Sequence, residues 1–117
     1  MILVVEDDDD IRDIAVRVLT DEGFKVHEAR NAVEALETLK KEDEIRLLFT
    51  DVVMPGGIDG WELARQAKTI QPNLHVIFTT GFAKQPGTAD LLAGPLLRKP
   101  WRHEQLVAHV RRALDIC

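Results

Sequence analysis

The sequence predicts an α/β fold, a five-stranded parallel sheet with helices on both faces. Two observations carry that prediction. Short apolar runs alternate five times with segments of helical period, and such alternation builds βαβ units joined by right-handed crossovers. The inner runs are also continuously apolar, Leu47 to Phe49 being the clearest, as strands covered on both faces are.

The first strand is Ile2 to Val5, an apolar, β-branched run that halts at five acids in a row, Glu6 to Asp10. Ile11, Ile14, Ala15, Val18 and Leu19 then recur at the spacing of one helix face, so the first helix runs from about Asp9 to Glu22, with Gly23 as its stop. Phe24 to Ala29 alternates apolar and polar residues, the pattern of an edge strand. Asn31 caps a second helix carrying Ala32, Ala35, Leu36 and Leu39 on one face. Arg46 to Thr50 is the third strand, and Pro55, Gly56 and Gly57 rule out a regular element just beyond it. Asp51 therefore stands at a strand's carboxyl end. Asp59 caps a third helix with Leu63, Ala64, Ala67 and Ile70 inward, ended by Pro72. His75 to Thr80 is the fourth strand. Between Gly81 and Gly94, with Pro86, Gly87 and Pro95 as breakers, there is room only for a short or irregular fourth helix around Thr88 to Ala93. Leu96 to Arg98 is a brief fifth strand, and Arg102 to Ile116 a final helix with Leu106, Val107, Val110 and Leu114 inward.

With 117 residues and 45% hydrophobic content the chain suffices for one domain, 1–117, and is too short for two ordinary ones. The net charge of −5 argues against a nucleic-acid or anionic-membrane surface, since both recruit an excess of Lys and Arg. Cys117 is the only cysteine, so no internal disulfide forms and a reducing, cytoplasmic setting is expected. No apolar run approaches the roughly 20 residues of a membrane span. Met1 leads straight into a strand-like run, without the charged start or cleavage site of an export signal.

Glu6, Asp7, Asp51, Thr80 and Lys99 all fall at carboxyl ends of predicted strands, where ligands bind in an open parallel sheet. Carboxylates crowded on one rim repel one another unless a cation or proton intervenes, and hard oxygen ligands with one or two direct carboxylates suit Mg²⁺, which keeps several waters. The set points to a divalent-cation site. A carboxylate beside Mg²⁺, a hydroxyl and an ammonium can attack phosphorus while metal and ammonium neutralise charge on the transferring oxygens, so the site suits an aspartyl phosphate. On its own stretch Asp51 reads equally as a turn cap. For Asp8, Asp9 and Asp10, attraction to the positive end of the first helix is the better account. The four histidines have no metal-ligand spacing, and Trp61 and Trp101 read as packing residues near the site.

VVED at 4–7, TDVVMPGGIDG at 50–60, FTTG at 78–81 and RKPW at 98–101 resemble, in order and spacing, the receiver domain of two-component response regulators. The resemblance covers essentially the whole chain. It implies a flavodoxin-like three-layer sandwich with strand order 2-1-3-4-5, and a phosphoacceptor signalling module rather than an enzyme with a separate substrate. It also implies roles. Asp51 accepts the phosphoryl group and shares in the metal site, Asp7 binds Mg²⁺ directly, Glu6 binds through water, and the Val53 carbonyl is a further ligand, with Mn²⁺ as a substitute. Thr80 and Lys99 contact the phosphoryl oxygens. Thr80 is preferred to Thr79 because the family's hydroxyl precedes a small residue, here Gly81. The implied donor is a histidine kinase or a histidine phosphotransfer domain, a homodimer stays open, and the Lys99–Pro100 bond is expected to be cis.

Departures from the family pattern are informative. The Gly56–Gly57 pair lengthens the loop after Asp51 by one residue, a variant similar to receivers of hybrid histidine kinases, so both a free-standing receiver and one excised from a larger kinase are open. No DNA-binding or catalytic output segment is expected from the residues up to 117. Leu96 stands where the family has an aromatic switch residue, and the chain between Thr80 and Lys99 is several residues short, which puts the usual dimer surface in question. Leu96 lacks the large amphipathic ring of such a rotor. Residues Phe82 to Ala93 are therefore expected to respond to phosphorylation as a low-stability segment that orders or shifts. Two other readings remain: a Mg²⁺-dependent phosphohydrolase of similar topology, and a receiver-like module that binds partners without phosphate. The first would place a second aspartate where Val53 stands, and the full acid, hydroxyl and lysine set weighs against the second.

Overall fold

The computed structural model describes residues 1–53, 58–80 and 96–114. Its five strands are β1 (Ile2–Val5), β2 (Val26–Ala29), β3 (Leu47–Asp51), β4 (His75–Thr80) and β5 (Leu96–Arg98), all parallel and ordered β2-β1-β3-β4-β5. The helices among the described residues are α1 (Asp9–Asp21), α2 (Ala32–Lys41), α3 (Gly60–Ile70) and α4 (His103–Ala113). This is the expected three-layer arrangement and strand order.

The layers follow from the two-residue period of a strand, which sends alternate side chains to opposite faces. Leu3, Val5, Leu48, Val76 and Phe78 meet Ala32, Ala35 and Leu39 of α2 and Leu63, Ala64 and Ala67 of α3. Ile2, Val4, Leu47, Phe49 and Ile77 meet Ala15, Val18 and Leu19 of α1 and Leu106 and Val110 of α4. Every residue of β1 and β3 is buried, which is why those runs carry no polar alternation. The edge strand β2 is only partly buried, and over Val26–Ala29 neither its sequence nor its burial follows the strict alternation expected of it.

Side chains set the starts of the first three helices, Asn31 and Asp59 as the expected caps and Asp8 as a third. Asp8, Asn31 and Asp59 cap α1, α2 and α3 by accepting the N–H groups of Ile11, Glu34 and Glu62 at 3.0, 2.9 and 2.9 Å. The Asn31 side chain is spent on the Glu34 N–H, so Asn31→Ala is expected to lower stability by about 1 kcal/mol. A urea melt checks it, and an unchanged midpoint would remove this cap from the account.

Where element bounds differ from expectation, backbone bonding explains it. The expected second strand began at Phe24, but α1 ends in a Schellman turn: Gly23, at φ 93°, donates to the Thr20 carbonyl at 3.0 Å and Phe24 to that of Leu19 at 3.2 Å. Phe24 thus spends its N–H closing the helix, and β2 starts at Val26. The third strand is shifted by one, so that Asp51 is itself the last residue of β3. The last helix starts at His103 and ends at Ala113, short of the expected Ile116; 115–117 lie outside the described residues. So do the residues of three expectations, the turn at Gly56–Gly57, the short helix around Thr88 to Ala93 and the responsive segment Phe82 to Ala93. The Lys99–Pro100 bond is cis. No described helix is long and apolar enough to cross a membrane.

Candidate functional site

Because β1 lies between β2 and β3, the chain leaves β1 to one side and returns on the other. The crevice outside the carboxyl ends of β1 and β3 is therefore the switch point at which such sheets bind ligands. Val5 pairs with Thr50 in register, so the residues that follow, Glu6 and Asp51, emerge side by side.

Glu6 is 3% and Asp51 6% exposed, and the Lys99 ammonium donates to both, at 2.7 Å to Glu6 Oε1 and 2.9 Å to Asp51 Oδ2. Asp7 faces solvent. Glu6, Asp7 and Asp51 each offer a carboxylate oxygen within 4.8 Å of the others. Among the described residues this is the one such group of acids, histidines or cysteines. Burial pushes the Glu6 carboxyl up to about 7; bonds from Lys99 and the Asp8 N–H oppose that shift, and the Asp51 charge adds to it. Burial also disfavours the Lys99 ammonium, but its bonds to Glu6 and Asp51 more than offset this and hold its pKa above the ordinary value.

The Lys99 ammonium bonds two of the three clustered acids, Glu6 and Asp51, and a further cation would relieve the crowding of acids that remains. The donor set is all oxygen, with two buried acids and one open to water, and it fits a hard cation such as Mg²⁺ that retains waters. The fit rests on chemistry and spacing.

The remaining expected residues fall around this centre. Thr80 ends β4, is buried, and its carbonyl accepts the Lys99 N–H at 2.8 Å. Thr79 is the register partner of Asp51, and its buried hydroxyl has no hydrogen-bond partner among the described residues. Val53 follows β3 and is exposed. Trp61 packs on Phe78 with ring centroids 4.0 Å apart, and Trp101 meets Phe49 edge-on at 6.1 Å; both are packing residues, as expected.

Two contributors were missed in the sequence. A Cβ on Gly60 would lie 2.2 Å from the Asp51 carbonyl oxygen and 2.9 Å from Val52 Cα, and the Gly60 N–H donates to the Val52 carbonyl at 2.7 Å. The start of α3 is thus seated on the backbone of the acid itself. The Asp59–Gly60 pair was the available signal, read only as a cap. Arg12 is the other, with Nη1 2.9 Å from the Glu6 carbonyl oxygen.

A family model for the response regulator receiver domain matches residues 2–111. The chain belongs to that family. This receiver domain is 40% identical over 116 residues to the response regulator receiver protein CpdR of Brucella abortus, covering 97% of this chain and 95% of that protein. It is 36% identical over 118 residues to sensor kinase CckA of the same organism, again over 97% of this chain but only 12% of the kinase. The solved receiver domain of NtrX from Brucella abortus superposes with a TM-score of 0.90 at 30% identity, covering 100% of both chains. Receiver domains are phosphoacceptor signalling modules of two-component systems and interact with histidine kinases or phosphotransfer proteins.

Proposed function

We propose that Asp51 is the residue that takes the phosphoryl group, from a phosphohistidine of a histidine kinase or histidine phosphotransfer domain. A carboxylate oxygen of Asp51 forms the new bond to phosphorus as the phosphorus–nitrogen bond breaks, and the imidazole leaves with the electron pair. The observation that carries this reading is the Lys99 ammonium 2.9 Å from Asp51 Oδ2 at the end of β3. That contact holds one oxygen of the nucleophile and places a cation beside the transferring oxygens.

Glu6 also accepts from Lys99, at 2.7 Å, and this second bond helps to keep the ammonium at the rim. The Thr80 hydroxyl serves a phosphoryl oxygen. Asp7, Asp51 and the Val53 carbonyl would hold Mg²⁺, or Mn²⁺ in its place, with Glu6 acting through water; when bound, the metal neutralises charge on the incoming phosphoryl group. The whole chain, 1–117, is the module, and its work is to accept the group and switch rather than to turn over a substrate. Val53 is exposed and apolar where a phosphohydrolase of this topology would need an acid.

Incubation with a small phosphodonor and Mg²⁺, followed by intact mass, is expected to show one added phosphoryl group, lost when a chelator is in excess. Modification that proceeds undiminished in the chelator would overturn the metal assignment.

A further inference from the structure

The geometry points to Arg12 as a positioning residue for the acidic rim, one that sets where Asp7 stands. The inference rests on Glu6, Asp7 and Asp51 forming the Mg²⁺ site proposed above. Arg12 lies on α1, and its side chain is only 12% exposed although both its carboxylate partners are largely in water. Its guanidinium makes three contacts in three directions: Nη1 to the Glu6 carbonyl oxygen at 2.9 Å, Nη2 to Asp9 Oδ1 at 2.6 Å, and Nε to Glu28 Oε1 on β2 at 3.0 Å. A planar fork spreads five donors over three nitrogens and matches such a set, whereas an ammonium offers three donors from a single atom.

The contact with the Glu6 carbonyl matters most. That oxygen belongs to the rigid peptide plane that also carries the Asp7 N–H, so gripping it fixes the direction in which the chain enters Asp7. The plane on the other side of Asp7 is held too, because the Asp8 N–H donates to Glu6 Oε2 at 3.1 Å. The Glu6 N–H is tied to the Ala29 carbonyl at 3.1 Å. Asp7 is exposed, so its place relative to the buried acids is set by these backbone clamps. Arg12 is the clamp that comes from a side chain outside the acidic run.

Position and charge make opposite forecasts for removing Arg12, and this makes the inference testable. By charge alone, loss of a cation beside an acidic run strengthens Mg²⁺ binding. Loss of a clamp on a ligand weakens it, typically by 10- to 100-fold for groups that orient metal ligands.

The experiment is a calorimetric titration of the full chain with MgCl₂, run on the parent, Arg12→Met and Arg12→Lys, with circular dichroism to verify folding. Arg12→Met is expected to raise the Mg²⁺ dissociation constant about tenfold. Arg12→Lys, which keeps the charge but not the fork, should raise it by a smaller factor. In phosphodonor assays the effect should fall on the Mg²⁺ midpoint rather than on the rate at saturating Mg²⁺. Unchanged or tighter binding by Arg12→Met overturns the assignment. If that variant does not fold, Arg12→Lys decides alone, and parent-like Mg²⁺ binding by it overturns the assignment. A parent that binds Mg²⁺ but gains no phosphoryl group defeats the phosphoacceptor reading and leaves Arg12 to be judged on the titrations; a parent that binds no Mg²⁺ overturns both.

Discussion

Asp51→Asn is expected to end phosphoryl uptake completely while leaving the chain folded. The amide matches the carboxylate in shape, so the close packing at the end of β3, where only 6% of the residue is exposed, is kept. What is lost is the anionic nucleophile. One of three crowded acids also disappears, which relieves repulsion with Glu6 and Asp7 and offsets part of the lost Lys99 contact at 2.9 Å. Intact mass after incubation with phosphodonor and Mg²⁺ reads the result, and a thermal melt shows that the fold has survived. A folded Asp51→Asn chain that still gains a phosphoryl group would move the acceptor elsewhere on the rim, with Asp7 the first residue to examine.

The second large effect is expected at Gly60. An alanine there must place its Cβ where 2.2 Å separates it from the Asp51 carbonyl oxygen. Both contacting groups are backbone, so neither rotates out of the way and α3 must move back from β3 by about 1 Å. Overpacking of this kind costs roughly 1–3 kcal/mol, and Gly60→Ala should fall toward the upper end. Displacement of the acid's own backbone should also slow phosphorylation, since a shift of about 1 Å in a reacting group can cost on the order of 10²-fold. Urea melts and a phosphodonor time course measure the two effects. Parent-like stability in Gly60→Ala would show that the helix does not depend on this close approach.

The contrast between these two residues explains what could be read from the chain and what could not. The place of Asp51 at a strand's carboxyl end was legible because it closes an apolar run just before a cluster of breakers, a pattern contained within a few neighbouring residues. The bounds of β1, β4 and β5 were read as they stand, since each is a short apolar run stopped by polar residues or breakers. Gly60 was opaque because its constraint comes from a carbonyl nine positions earlier that only the fold brings near. Arg12 was opaque for the same reason, its partners lying 6 and 16 residues away at Glu6 and Glu28. The start of β2 was misplaced because periodicity cannot show that the Phe24 amide is already bonded to Leu19.

The two indoles sit on opposite sides of the sheet, Trp61 in the first turn of α3 against Phe78 in the layer of α2 and α3, and Trp101 against Phe49 in the layer of α1 and α4. The chain has no tyrosine, so its near-ultraviolet emission comes essentially from this pair. Trp61→Phe and Trp101→Phe would each leave one fluorophore reporting on one layer. Denaturant titrations followed through the two variants separate simultaneous melting of both layers from stepwise loss of one, and stopped-flow traces after phosphodonor addition would time the arrival of the chemical event on each side of the sheet.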